Sequence, residues 1–257
     1  MIIVSQFTGT SLWFAGNAVL PDLQLAWNIG ADAVGIITSA VQLGFIFGTF
    51  VFAFFTISDR YSPRIIFLIC SVIGSLCTLT IVLFCSDLTT LLLLRFLTGI
   101  ALAGIYPVGM KIASGWYHHG LGNALGFLVG ALVLGTAFPH LVRAIGHAFS
   151  WERVLVFVSS LAAFGGVLMA LLVPDGPFLT NGTAFTPRSL SLMFRKKDLR
   201  AVAFGYFGHM WELYAFYAFV PFVLSFYNTL NPAGHLDISF WTFCIIGSGA
   251  IGCTVGG

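Results

Sequence analysis

The sequence predicts an all-α membrane protein, a helical bundle with about eight membrane-crossing helices. Three observations lead there. Of the 257 residues, 58% are hydrophobic and only 8% are charged. Soluble domains carry roughly 25% charged residues, so this chain cannot cover a soluble core of its own size and must use lipid as part of its solvent. Eight apolar stretches each approach the roughly 20 residues that a helix needs to cross a bilayer. The 29 glycines suit membrane helices that pack closely.

In chain order, the first stretch is 2–20, closed by Pro21 and Asp22. It has no basic leader and no convincing cleavage site, so it reads as a retained helix rather than a signal peptide. The second is 33–57, with Gly30 and Asp32 as start residues, and the third 65–85. The fourth, 88–113, is expected to break near Pro107. The fifth is 121–141 and the sixth 154–173. Residues 174–200 form the longest interruption and hold five of the eleven Lys and Arg residues. Stretches 201–226 and 238–255 follow. The expected organisation is a six-helix half at 1–173, a basic linker at 174–200, and the first two helices of a second half at 201–257. A weak internal repeat supports this. The segments Gly9 to Pro21 and Gly208 to Pro221 are both aromatic and both end in proline, and spaced glycines follow each.

Basic residues set the expected orientation. The loops after helices two, four and six, with their flanks, hold Arg60, Arg64, Lys111, Arg188, Arg195, Lys196, Lys197 and Arg200, whereas the other side has Arg143 and Arg153. The positive-inside rule then places the linker and both termini in the cytoplasm, with the chain in the inner membrane. A net charge of +2 is too small to suggest nucleic acid. The cysteines (70, 77, 85, 244 and 253) lie in apolar runs without CxxC spacing, so they read as small hydrophobes, and no metal or cofactor is expected. There is no Walker loop, HExxH or GxSxG, and an enzyme is not expected. An intramembrane enzyme built on His118 or His209 is the weakest alternative, since no set of acids stands at useful spacing beside His118 and His119.

Five groups of residues carry the functional expectations. Asp59 closes helix two, where the helix dipole disfavours an acid. It therefore needs a partner, for which Arg60, Arg64 or a neighbouring helix N-terminus is available. That turn reads as a cytoplasmic latch, or else as an ordinary basic turn. Arg95 lies about two turns inside helix four. A charge there faces a bundle or a cavity, or else snorkels to the headgroups. Lys111, near the end of that helix, reads as an interface lysine. In helix seven, His209 and Glu212 share a face at three-residue spacing, with Tyr206 and Tyr217 roughly on the same side. Glu212 reads as a buried acid that carries a proton, or as a structural hydrogen-bonding group. Gln6, Thr10, Trp13 and Asn17 form a polar stripe on helix one, to which Thr38, Ser39 and Gln42 add from helix two. These line a cavity or hold helices together. Finally, Gly122, Gly126, Gly130 and Gly135 make a packing stripe on helix five.

The segments ISDRYSPR, LLLLRFLTGIALAGIYPVGMKIASGW and GYFGHMWELYAFYAFVPF resemble those of a major facilitator superfamily transporter, and the likeness covers essentially the whole chain. SQFTGTSLWFAGNAVLPDLQ and TSAVQLGFIFGT resemble a bacterial subgroup distantly like cyanate and nitrate/nitrite permeases. In the family's turn pattern after helix two, Asp59, Arg60 and Arg64 are kept, whereas Phe55, Ser62 and Pro63 depart from it. Arg95 matches the helix-four arginine that the family associates with proton coupling or substrate. The helix-five Gly-Pro of antiporters is missing, so drug/proton antiport is not implied. The resemblance implies twelve helices in two halves with substrate bound between them and alternating access. It implies symport of a small solute, driven by a proton or solute gradient. The expected partners are a small-molecule substrate, the bilayer and a proton. About eight of the twelve helices are read here, so the alternative is an inactive truncated remnant or a membrane scaffold.

Overall fold

The computed structural model describes residues 1–30, 32–117, 119–146, 149–179, 194–232 and 234–256. Most of the linker, with Arg188, lies outside the described residues, as does His118. Within the described residues the regular structure is helical.

The first apolar stretch is not one helix. It folds as α1 (Ile2–Thr10), α2 (Ala15–Ala18) and α3 (Leu20–Trp27). Hydroxyls compete with the helical ladder at the end of α1: Thr10 Oγ1 donates to the Gln6 carbonyl at 2.8 Å and Ser11 Oγ to the Thr8 carbonyl at 2.6 Å. Pro21 does not end a helix. It sits in the first turn of α3, where its missing N–H costs nothing. Asn28 then stops α3 in the left-handed conformation, at φ 53°.

The remaining helices are α4 (Ala33–Phe54), α5 (Ile57–Arg60), α6 (Pro63–Phe84), α7 (Leu88–Ala103), α8 (Tyr106–Ser114), α9 (Leu121–Ile145), α10 (Trp151–Leu172), α11 (Lys197–Leu230) and α12 (Ile238–Gly256). The α7–α8 break falls at Gly104 and Ile105, and Pro107 begins the new helix. Pro221 lies inside α11 without ending it, so the repeat expected between helices one and seven does not extend to their ends. With α7 and α8 taken as one crossing, seven helices among the described residues are long and apolar enough to cross a membrane. The first stretch is the exception, because of its break.

Small residues set the packing, as expected where lipid removes the hydrophobic drive between helices. α4 and α7 touch backbone to backbone. A methyl group on Gly44 would stand 2.0 Å from the Phe96 carbonyl oxygen, and one on Gly99 2.1 Å from that of Val41. α1 is seated in three glycine notches: Gln6 fills the space over Gly109, Thr8 that over Gly165 and Thr10 that over Gly135. α12 lies along α9, with Ala250 and Thr254 against Gly130. The helix-five glycines thus serve two different neighbours. Gly126 is buried, but Gly122 is exposed. Of the five cysteines only Cys70 is fully buried, and the others are half-buried.

Candidate functional site

The break between α1 and α2 frees the carbonyls of Leu12 and Trp13 from helical bonds. Arg95 takes both. Its Nη1 donates to the Leu12 carbonyl at 3.0 Å and its Nη2 to that of Trp13. The side chain is wholly buried, and Gly16 leaves room for it: a methyl there would come 3.2 Å from Nε. The guanidinium therefore neither snorkels nor stands free in a cavity. It closes the broken first helix. Its partners are neutral, and no ion pair among the described residues involves it.

Held this way, Trp13 becomes the centre of an aromatic group drawn from four elements. Its ring centroid lies 4.8 Å from Phe45 on α4, 6.3 Å from Tyr106 on α8 and 5.5 Å from Tyr214 on α11, with the last ring nearly parallel at 23°. Phe14 extends the contact to Tyr217 at 5.8 Å. On the adjoining turn, Asn17 Nδ2 donates to Thr38 Oγ1 at 2.8 Å. Thr38, Gln42 and Phe45 follow one another at helical spacing, so Gln42 stands on the α4 stripe between the two residues that meet Asn17 and Trp13. Trp13 Nε1, Asn17 Oδ1, Gln42 Nε2 and Arg95 Nε are buried with no hydrogen-bond partner among the described residues. Buried polar groups are normally paired, so four orphans gathered at one break set it apart as a polar spot in the bundle.

The structure divides the expected polar stripe. Trp13, Asn17 and Gln42 gather at the break, whereas Gln6 and Thr10 sit in glycine notches away from it, the Gln6 amide also buried without a hydrogen-bond partner among the described residues, and Ser39 is exposed. Glu212 and His209 are not buried. Both are exposed on α11, and no hydrogen bond or ion pair joins either to Arg95 among the described residues. The reason lies in helical register: the α11 face that meets the other described helices carries Tyr217, Ala218 and Val220 instead. Tyr206 and Tyr217 also separate, the first exposed and the second buried.

At the expected cytoplasmic end, Asp59 finds neither Arg60 nor Arg64. Lys111 of α8 binds its carboxylate and also donates to the Ser58 carbonyl at 2.6 Å, so Lys111 is no simple interface lysine. Arg60 is exposed. Arg64 instead reaches Asp175, just past α10, at 3.9 Å, and Ser62 Oγ donates to that carboxylate at 3.0 Å. At the other end, Arg143 of α9 pairs with Asp22 of α3 at 2.8 Å. All three pairs therefore tie elements within residues 1–175 to one another.

Sequence reading did not find Tyr106, Tyr214, Phe45 or Asp175. The aromatic richness of helix seven was the available signal for Tyr214, whereas Tyr106 and Phe45 lie on helices four and two, where no such signal was read. Asp175 gave none, because its partner Ser62 lies 113 residues away and Arg64 is similarly remote.

The family model described as Major Facilitator Superfamily matches residues 2–257. The chain belongs to the Major Facilitator Superfamily. Membership of this superfamily points to a transporter rather than an enzyme, and no cluster suited to a metal ion occurs among the described residues. Two bacterial relatives are similar. One is NiaP of Bacillus subtilis (strain 168), a candidate niacin/nicotinamide transporter, 27% identical over 179 residues, or 62% of this chain and 39% of the relative. The other is SauU of Cupriavidus necator, a candidate sulfoacetate transporter, 22% identical over 170 residues, or 61% and 38%. The chain thus matches about two fifths of the length of these curated relatives. Neither relative supports the expected likeness to cyanate or nitrate/nitrite permeases.

Proposed function

We propose that this chain carries the substrate compartment of a secondary active transporter for a small solute, working by alternating access in the cytoplasmic membrane. The compartment is the space around the α1–α2 break, bounded by α4, α7, α8 and α11. The observation that carries this reading is the orphaned polar set of Trp13, Asn17 and Gln42 beside the buried charge of Arg95. Tyr214 and Tyr217 close it from the second half.

The moving surfaces follow from the pattern of ties. Residues 1–175 are cross-linked by ion pairs at both ends, which favours motion as one body. Its joints to α11 and α12 are ring stacks and small-residue contacts, which separate without breaking an ion pair. Asp59–Lys111 and Arg64–Asp175 then act as braces within the first half. The excess of basic residues supports a cytoplasmic N-terminus and linker. Glu212 and His209 lie within a membrane-crossing helix, where a charged group is expensive and marks a proton or ion pathway. Coupling to a proton gradient rests on them.

The test is uptake of radiolabelled nicotinate and sulfoacetate, the solutes suggested by the relatives' names, by cells expressing the chain. Saturable uptake that falls on adding a protonophore and is lost in Arg95→Met is the expected result. Uptake no greater than in control cells, from a chain that accumulates in the membrane, would leave the remnant or scaffold reading in its place.

A further inference from the structure

We propose that the compartment selects a flat aromatic carboxylate, its ring stacked on Trp13 and its carboxylate received by the Trp13 indole N–H and the Gln42 amide. This rests on the reading of the α1–α2 break as the substrate compartment and adds the chemical class.

Three observations lead there. The first is charge. Among the described residues Arg95 is buried with only neutral carbonyls as partners, so none of them compensates its positive charge inside the bundle. A buried charge without a counterion is costly, and an anion beside it removes that cost. Both Nη groups are engaged, while Nε, beside Gly16, is a buried donor without an acceptor among the described residues, so Arg95 attracts the anion chiefly through its field and leaves Nε as a further donor.

The second is the set of available hydrogen-bonding groups. Trp13 Nε1 and Gln42 Nε2 are buried donors without acceptors, and Trp13 itself is wholly buried. Indole N–H only donates. Two vacant donors beside a cation suit a carboxylate, which only accepts. Asn17 Oδ1 is the one vacant acceptor of the set, and it suits a ring hydroxyl or ring N–H at the far edge.

The third is shape. Tyr214 lies on the Trp13 face at 5.5 Å and 23°. A parallel aromatic ring from the second half already rests there, so the face accommodates a flat ring. Phe45 closes the other flank at 4.8 Å. A flat substrate ring takes the Tyr214 place against the Trp13 face, where a puckered aliphatic ring stacks less closely.

The probe is radiolabelled benzoate, bound at equilibrium to the whole chain in lipid nanodiscs at neutral pH. Unlabelled cyclohexanecarboxylate, benzamide and acetate compete. Benzoate is expected to bind saturably, and each competitor to be about tenfold weaker or more, benzamide through its weaker, uncharged hydrogen bonds and the two aliphatic acids through the lost ring stacking. Gln42→Leu and Trp13→Phe, which both delete a donor, should each lower benzoate affinity by a similar factor. Trp13→Phe should keep the preference for benzoate over cyclohexanecarboxylate, because the stacking face remains. Equal competition by acetate or by benzamide overturns the proposal, as does benzoate binding that is absent or unchanged in both variants. Uptake of another solute without benzoate binding would defeat the class and leave the transport reading intact. Selective benzoate binding without uptake of any solute would support the class and defeat transport.

Discussion

Arg95 and Leu12 stand 83 positions apart in the chain, yet the Arg95 Nη1 donates to the Leu12 carbonyl at 3.0 Å and so closes a break in another helix. A guanidinium can bridge two carbonyls because its donors are fixed in a planar fork, and an ammonium cannot reproduce that geometry. Arg95→Lys is therefore expected to lower thermal stability in detergent and Arg95→Met to lower it further, by about 2–4 kcal/mol for two buried carbonyls left unpaired. Thermal unfolding followed by thiol labelling of the buried Cys70 measures this. Equal melting temperatures for wild type and Arg95→Met would remove the capping role.

The brace between Asp59 and Lys111 is about three-quarters buried, with side-chain exposures of 27% and 21%. Asp59→Asn and Lys111→Met are expected to be non-additive, with a coupling of about 1 kcal/mol, near the upper end for pairs that water still reaches. Arg60→Ala should leave stability unchanged, since Arg60 is exposed. A double-mutant cycle on unfolding decides it. Additive losses would show that the pair contributes nothing as a pair.

Gly99→Ala should be among the most damaging small substitutions. Its methyl would stand 2.1 Å from the Val41 carbonyl oxygen, and backbone there cannot yield without moving α4 from α7. Overpacking of this kind costs about 1–3 kcal/mol or more. Gly205→Ala is the control: it meets nothing within 4 Å and lies inside α11, so the better helix propensity of alanine should make it neutral or mildly stabilising. The ratio of monodisperse to aggregated protein after mild heating compares the two. Comparable behaviour would show that the α4–α7 approach tolerates a methyl.

Asp87 caps α7 outside the membrane-crossing segments, accepting from the Thr90 N–H at 2.8 Å and from the Thr90 hydroxyl at 2.7 Å. These bonds favour the ionised form and hold its carboxyl below the usual aspartate value. A lowered folded-state pKa means that the stabilisation is complete above the unfolded-state pKa and is lost as pH falls through the folded one. Asp87→Ala should accordingly melt earlier than wild type at neutral pH, with the gap closing below about pH 4, where an aspartate in an unfolded chain takes up its proton. A gap that stays constant down to pH 2 would mean that the charged cap is not its source.

Local pattern was enough for some of this molecule. Seven of the eight hydropathy runs located crossing helices to within a few residues, because burial in lipid is decided segment by segment, and the broken first run did not. Glycine spacing marked Gly130 and Gly135 as points of close approach, though not that they meet different helices. Arg95 was recognisable as a functional or bundle-facing charge from its depth alone.

The rest depended on which faces meet, and no local period encodes that. The hydroxyl bonds that end α1 are local, but the guanidinium that closes the break comes from α7. Asp59 had two arginines within five positions in sequence, yet Lys111 was nearer in space, because α8 lies against the turn after α4. Glu212 and His209 share a helical face, as their spacing requires, and only the packing of α11 determined that this face is left exposed. Sequence determined that the chain lives in a membrane and roughly where it crosses. Tertiary structure decided which buried polar atoms share one compartment, because hydrogen bonds and ring contacts depend on distances that separation along the chain does not predict.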